Sequence, residues 1–179
     1  MHNLAKHQKQ RNLVSISRGE IDANDKHGFI LDSSEKLVAL QCVYDFNLDG
    51  LMFLRVEDIT EVKSSATSKF HKSLLKQEGL LEKVPFRATF DLDCWNSLIS
   101  QLLAEYEFMI LESEAAEEVD FFIGRVLKTT KATVRGHFFS GAGKWAKAPE
   151  KLKFKDVTCC QVGTNYLNVY QRHFERHAL

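Results

Sequence analysis

Apolar and polar residues alternate from the first stretch that departs from the polar N-terminal arm, MHNLAKHQKQRN. Leu13, Val14, Ile16 and Ile21 punctuate LVSISRGEID with the period-two pattern of a strand. HGFILD and KLVALQCVYDF are short β-rich runs separated by the turn residues DSSE, which predicts a hairpin. NLDG at 47–50 reads as a further turn, and LMFLRVEDITEVK as two short strands meeting near Glu57 and Asp58. Phe70, Leu74 and Leu75 then adopt helical spacing over 67–80, with Thr67 or Ser68 as cap and Gly79 as stop. VDFFIGRVLKT, ATVRGHFFS, GKWAKA, KLKFKD and VTCCQVGT repeat the strand signal, and NYLNVYQRHFERH repeats the helix.

Between these two series, PFRATFDL and EFMILES read as strands flanking a helix, DCWNSLISQLLAEY, capped by Asp93. Trp95, Leu98, Ile99, Leu102 and Leu103 fall on one broad face of that helix.

The two series are versions of one pattern. Asp58-Ile59-Thr60 returns as Asp156-Val157-Thr158, Phe70 aligns with Tyr166 if two residues are dropped from the second copy, and Gly19 with Ile21 is matched to Gly124 with Val126. An offset near a hundred residues is too long for a solenoid and fits two copies of a small domain. The predicted organisation is a polar arm at 1–12, a first barrel plus helix at 13–80, a strand-helix-strand connector at 81–118, and a second barrel plus C-terminal helix at 119–179. Five short strands in each copy suit a small, partly open barrel, in which closure hides strand edges. The fold class expected is mainly β with flanking helices.

Charge alters this picture in one respect. The 179-residue chain is neutral overall, yet residues 81–118 carry 2 basic and 9 acidic groups and residues 119–179 carry 11 and 4. Such a split predicts either an acidic surface packed on a basic one or a basic module for anionic partners; the first is favoured because the charges cancel. No apolar run is long enough for a membrane helix, and the arm lacks a signal-peptide core, so no membrane partner and a cytoplasmic location are expected. Cys42, Cys94, Cys159 and Cys160 form no C-x-x-C pair, and adjacent strand cysteines point to opposite faces, so they read as buried free thiols.

The repeated arrangement of a glycine strand, paired apolar strands, a D-[IV]-T turn and an aromatic helix resembles a small Sm-like barrel, and the chain from about Leu13 onward resembles a group of uncharacterised bacterial proteins with tandem Sm-like barrels. The resemblance rests on Phe46–Gly50 (F-x-L-D-G), Leu75–Gly79 (L-x-x-E-G), Ile123–Val126 (I-G-R-V), Gly143–Trp145 (G-x-W) and Tyr166–Asn168 (Y-L-N). It implies two Sm-like barrels and brings no function with it. Classical Sm-like members hold a base with a loop aspartate and asparagine; neither copy carries that motif, so no RNA-contact residue is transferred.

The candidate chemistry is sparse. His173 and His177 have i, i+4 spacing, but HFERH lacks the third ligand and the correctly placed glutamate of an H-E-x-x-H metal site. SGAGK is too short for a phosphate loop, and no nucleophile elbow or dinucleotide fingerprint occurs. Asp58 and Asp156 read as turn caps. No catalytic residue, metal ligand or cofactor is therefore assigned. The candidate binding surface is the basic, aromatic one of the second copy: Arg125, Lys128, Lys131, Arg135, His137, Lys144, Trp145 and Lys147. The leading expectation is a non-catalytic binding or assembly module whose partner is a protein or a second copy. The alternatives are a nucleic-acid-binding protein using the basic barrel, without specific binding expected, and a hydrolase or nuclease with its site between the barrels.

Overall fold

The structure, a computed structural model, describes residues 3–115 and 120–177. His2, Glu117 and Glu118, which entered the readings of the arm and the acidic connector, lie outside the described residues. The protein is mainly β with flanking helices, and it divides into two compact units, Met1–Asp93 and Cys94–Leu179.

The first unit contains α1 (Leu4–Lys9), β1 (Leu13–Arg18), β2 (Asp22–Ser33), β3 (Leu37–Tyr44), β4 (Asn47–Arg55), β5 (Glu61–Lys63) and α2 (Ala66–Gln77). Its strands form an antiparallel sheet in the order β5-β1-β2-β3-β4. The second unit contains α3 (Trp95–Leu102), β6 (Phe108–Ser113), β7 (Asp120–Thr129), β8 (Thr133–Phe138), β9 (Glu150–Lys153), β10 (Cys159–Val162) and α4 (Asn165–Arg176). Its antiparallel order is β10-β6-β7-β8-β9, the same arrangement with each strand replaced by its counterpart.

The correspondence reaches individual hydrogen bonds. Thr60 donates its backbone N–H to Ser17 O at 2.9 Å, and its Oγ1 bonds the same carbonyl at 3.1 Å while accepting the Gly19 N–H at 3.4 Å. Thr158 does the same with Glu112 O at 2.8 and 3.0 Å and with the Glu114 N–H at 3.2 Å. The D-[IV]-T phrase therefore fastens the fifth strand of each sheet to the first, with Ile59 and Val157 buried beside it. The turns after β2 and β7 also match: Ser34 Oγ and Thr130 Oγ1 each accept two backbone N–H groups from the residues opening the next strand.

Gly28, rather than Gly19, is the counterpart of Gly124. A Cβ at Gly28 would lie 2.4 Å from Gln41 O, and one at Gly124 would meet His137 O, so at both positions neighbouring backbone comes too close for any side chain. The register breaks that follow are equivalent, between Ile30 and Asp32 and between Val126 and Lys128.

Several other sequence expectations change. The turn before β4 is not NLDG but Asp45-Phe46, both at positive φ (45° and 59°); Gly50, also at positive φ, sits opposite the β3 register shift as a bulge glycine. The arm holds the helix α1, whose Gln8 Nε2 donates to Leu31 O at 2.8 Å. Residues 85–92 form no strand, whereas the connector's helix and second strand are α3 and β6 of the second unit, with β6 paired to β7 and β10. Cys94, not Asp93, occupies the cap position of α3. GKWAKA makes only the isolated bridge Phe139–Trp145. Ser65 caps α2 in a capping box with Ser68 and Thr164 caps α4; counted from these caps, Phe70 aligns with Val169 rather than Tyr166, and both face solvent. Cys159 and Cys160 are buried free thiols as expected, Cys42 is half-buried, and Cys94 is exposed.

Candidate functional site

The same face of the sheet is treated oppositely in the two units. In the first, Leu13, Phe29 and Gln41 are direct partners across β1, β2 and β3, and Asp32, Ala39 and Phe53 are partners across β2, β3 and β4. The chain beyond α2 lies over these rows: Phe86 meets Phe29 edge-on at 5.5 Å and Phe90 meets Phe53 at 5.1 Å. The Phe90 N–H donates to Asp32 Oδ2 at 3.1 Å, and Ser34 Oγ donates to Leu92 O at 2.9 Å. Phe29, Ala39 and Phe53 are all at 0% exposure as a result.

In the second unit the counterpart rows are Phe108, Arg125 and His137 across β6, β7 and β8, then Lys128, Arg135 and Lys151 across β7, β8 and β9, with Lys153 beyond, opposite Thr133. Lys128, Arg135, Lys151 and Lys153 are exposed. Like charges directly opposite on neighbouring strands destabilise a sheet by roughly 0.2–1 kcal/mol per pair. Among the described residues of this unit, none of these four has a carboxylate within ion-pair distance; Arg125 pairs with Glu107, Nε to Oε1 at 2.6 Å.

The inner end of the face is an aromatic cleft. Phe108, Ile110, Ile123, Phe139 and Leu167 form its buried base, with Trp145, Tyr170 and Phe174 packed on them. Leu167, Tyr170 and Phe174 are spaced i, i+3, i+7, so one stripe of α4 closes this end. Trp145 lies 4.5 Å from Phe174 and 4.9 Å from His137, and the His137 Nε2–H donates to Ala146 O at 2.8 Å, which fixes the imidazole plane. Arg125 places its guanidinium carbon 5.7 Å from both the Phe108 and the Trp145 ring centres. A cleft of about 570 Å3 opens above these groups, with Glu107, Gln171, His173, Glu175 and His177 on its rim.

Of the residues predicted from sequence, the fold brings Arg125, His137 and Trp145 into this cleft and Lys128 and Arg135 into the adjoining basic row. Lys131 stands exposed in the β7–β8 turn, and Lys144 and Lys147 are exposed in the loop between β8 and β9. Sequence reasoning missed Lys151 and Lys153, although their alternation about buried Leu152 in KLK was a readable sign. It also left out Glu107 and Phe108, and it treated His173 and His177 as a solvated helix end. Their rings lie 4.4 Å apart on the cleft rim, and the His177 Nδ1–H donates to His173 O at 2.7 Å. Among the described residues no three His, Cys, Asp or Glu side chains come together to hold a metal ion. Asp58 serves structure, accepting from Arg55 Nε at 2.7 Å and Nη2 at 2.9 Å. No helix is long and apolar enough to cross a membrane among the described residues.

No protein-family model, curated protein or solved structure matches the chain.

Proposed function

We infer that the chain is a non-catalytic binding module built from two diverged copies of a small Sm-like barrel, and that single-stranded nucleic acid is the ligand of the open face of the second copy. The observation that carries this reading is the row Lys128–Arg135–Lys151, left uncovered where its counterpart Asp32–Ala39–Phe53 lies beneath Phe90. Three cations in direct opposition across a sheet cost stability unless an anion bridges them, and a phosphodiester chain supplies anions at a comparable spacing. Beside them, Trp145 and His137 give flat rings for stacking, the second requirement of a single-strand site.

This departs from the sequence-based preference for intramolecular neutralisation, in which the acidic connector covers the basic barrel. Of that connector, Glu107 pairs with the strand residue Arg125, whereas Lys128, Arg135, Lys151 and Lys153 have no carboxylate within ion-pair distance among the described residues of the unit. The basic rows keep their charge.

A fluorescence anisotropy titration with short single-stranded RNA and DNA at low and physiological salt tests the reading. Salt-sensitive, sub-micromolar binding is expected. Binding no tighter than the roughly 10⁻⁴ to 10⁻⁶ M of non-specific contacts at physiological salt would sink it.

A further inference from the structure

Granted that reading of the face, we propose that the cleft at its inner end is a guanine pocket in which Glu107 and Arg125 read the edge of one unstacked base. The two side chains are held together as an ion pair, with Arg125 Nε 2.6 Å from Glu107 Oε1. The other Arg125 N–H groups and Glu107 Oε2 have no protein partner among the described residues, and both side chains are partly exposed, at 45% and 44%. The pair therefore presents cationic donors next to a carboxylate that accepts at both oxygens.

Guanine carries the complementary series on its Watson–Crick edge: the O6 acceptor, then the N1–H and N2–H donors. Adenine and cytosine set a ring-nitrogen lone pair against the carboxylate beside their single amino group. Uracil flanks its one N–H with two carbonyl oxygens. An ionised carboxylate repels each of these lone pairs, so the discrimination is repulsive as well as attractive.

The surroundings fit a base of that size and shape. Trp145 and Phe174 lie at 34° to one another and Trp145 and His137 at 33°, so the cleft offers tilted flat walls rather than a point contact. Its volume of about 570 Å3 admits a nucleotide. The neighbouring row of Arg135, Lys128 and Lys151 continues on the same face as Arg125 and His137, where the flanking phosphates would run.

The first copy carries Leu13, Phe29 and Gln41 at the positions of Phe108, Arg125 and His137, and all three are buried. The pocket therefore belongs to the second copy alone, one per chain.

The test compares uridine oligonucleotides carrying a single central guanosine, adenosine, cytidine or inosine, titrated into the full chain by fluorescence anisotropy. The guanosine oligonucleotide is expected to bind about tenfold more tightly than the adenosine, cytidine and all-uridine ones, the low end of discrimination by a bidentate pair. Inosine, which lacks the N2 amino group, falls between them. In Glu107→Gln, which replaces one acceptor oxygen by a donor, the preference shrinks to within about twofold. Because the readout is a ratio within one variant, an overall loss of affinity cannot imitate it. Equal binding of all oligonucleotides by the native chain, or a guanosine preference that survives in Glu107→Gln, overturns the pocket and leaves the interface standing. Failure of every oligonucleotide to bind overturns the interface itself, and the pocket with it.

Discussion

Replacing each D-[IV]-T threonine by valine separates what the two copies share from what differs between them. Thr158→Val preserves side-chain volume but removes Oγ1, which bonds Glu112 O, accepts the Glu114 N–H and lies 2.7 Å from Glu114 Oε2. Thr158 is at 0% exposure, so water cannot replace those bonds; an orphaned buried amide costs about 1–3 kcal/mol. Thr60→Val removes the equivalent bonds to Ser17 O and the Gly19 N–H, but Thr60 is exposed and solvent takes over, leaving about 0.5 kcal/mol. Both tryptophans, Trp95 and Trp145, lie in the second unit, so their fluorescence follows that unit's unfolding. With a urea slope near 1 kcal/mol/M for a unit of this size, Thr158→Val is expected to lower the fluorescence midpoint by about 2 M. Thr60→Val should leave it within about 0.5 M. Equal shifts in the two variants, or a Thr158→Val midpoint unmoved, would refute the claim that this threonine fastens the fifth strand of each sheet and that burial sets its worth.

Phe139→Ala should destabilise the second unit by about 3–5 kcal/mol, because a side chain at 0% exposure in contact with Phe108, Trp145, Tyr170 and Phe174 leaves a cavity; tryptophan fluorescence during urea unfolding reads the loss. Burial, with Asp49 nearby, pushes the Cys42 thiol up to about 12, and burial with Glu112 nearby raises that of Cys160 as well. The unfolded thiols ionise near pH 8.5, so above that pH the unfolded chain binds fewer protons than the folded one. Stability should therefore decline by about 1.4 kcal/mol per pH unit for each thiol as pH rises from about 8.5 toward 12, and a urea midpoint unchanged between about pH 8 and pH 10 would contradict this. In the native state a disulfide reagent should modify exposed Cys94 rapidly and buried Cys159 and Cys160 only on unfolding.

The repeated strand order was legible because it is written in residues that local geometry demands. Asp58-Ile59-Thr60 and Asp156-Val157-Thr158 stand at equivalent strand junctions, and the strand-like runs became strands except PFRATFDL and GKWAKA. The glycine match failed because spacing alone cannot show which glycine meets backbone: Gly28 lies against Gln41 O, whereas Gly19 has open space around it. The period of Phe70, Leu74 and Leu75 showed the helix but not which of them it buries: Leu75 is buried in α2, and Phe70 remains 60% exposed. At the candidate site, charge and aromatic content pointed to Arg125, His137 and Trp145. The distinction between an open and a covered face was not readable, because it depends on Phe86 and Phe90, in a segment with a strand-like pattern, crossing a sheet more than thirty positions earlier in the chain.

If the uncovered face of the second unit, and not basic charge in general, holds a single strand, removing charge from that face should change the salt dependence of binding more than removing it elsewhere. Neutralising Arg135, Lys151 and Lys153 together, against a matched triple of exposed lysines on the first unit, Lys36, Lys69 and Lys76, tests it by anisotropy across a salt series. Each phosphate contact to a single strand contributes about 0.7 to the slope of log affinity against log salt, so the face triple should flatten the slope by about 2 while the control leaves it within about 0.5. Equal flattening by both triples, or a slope unaffected by the first, would contradict this reading.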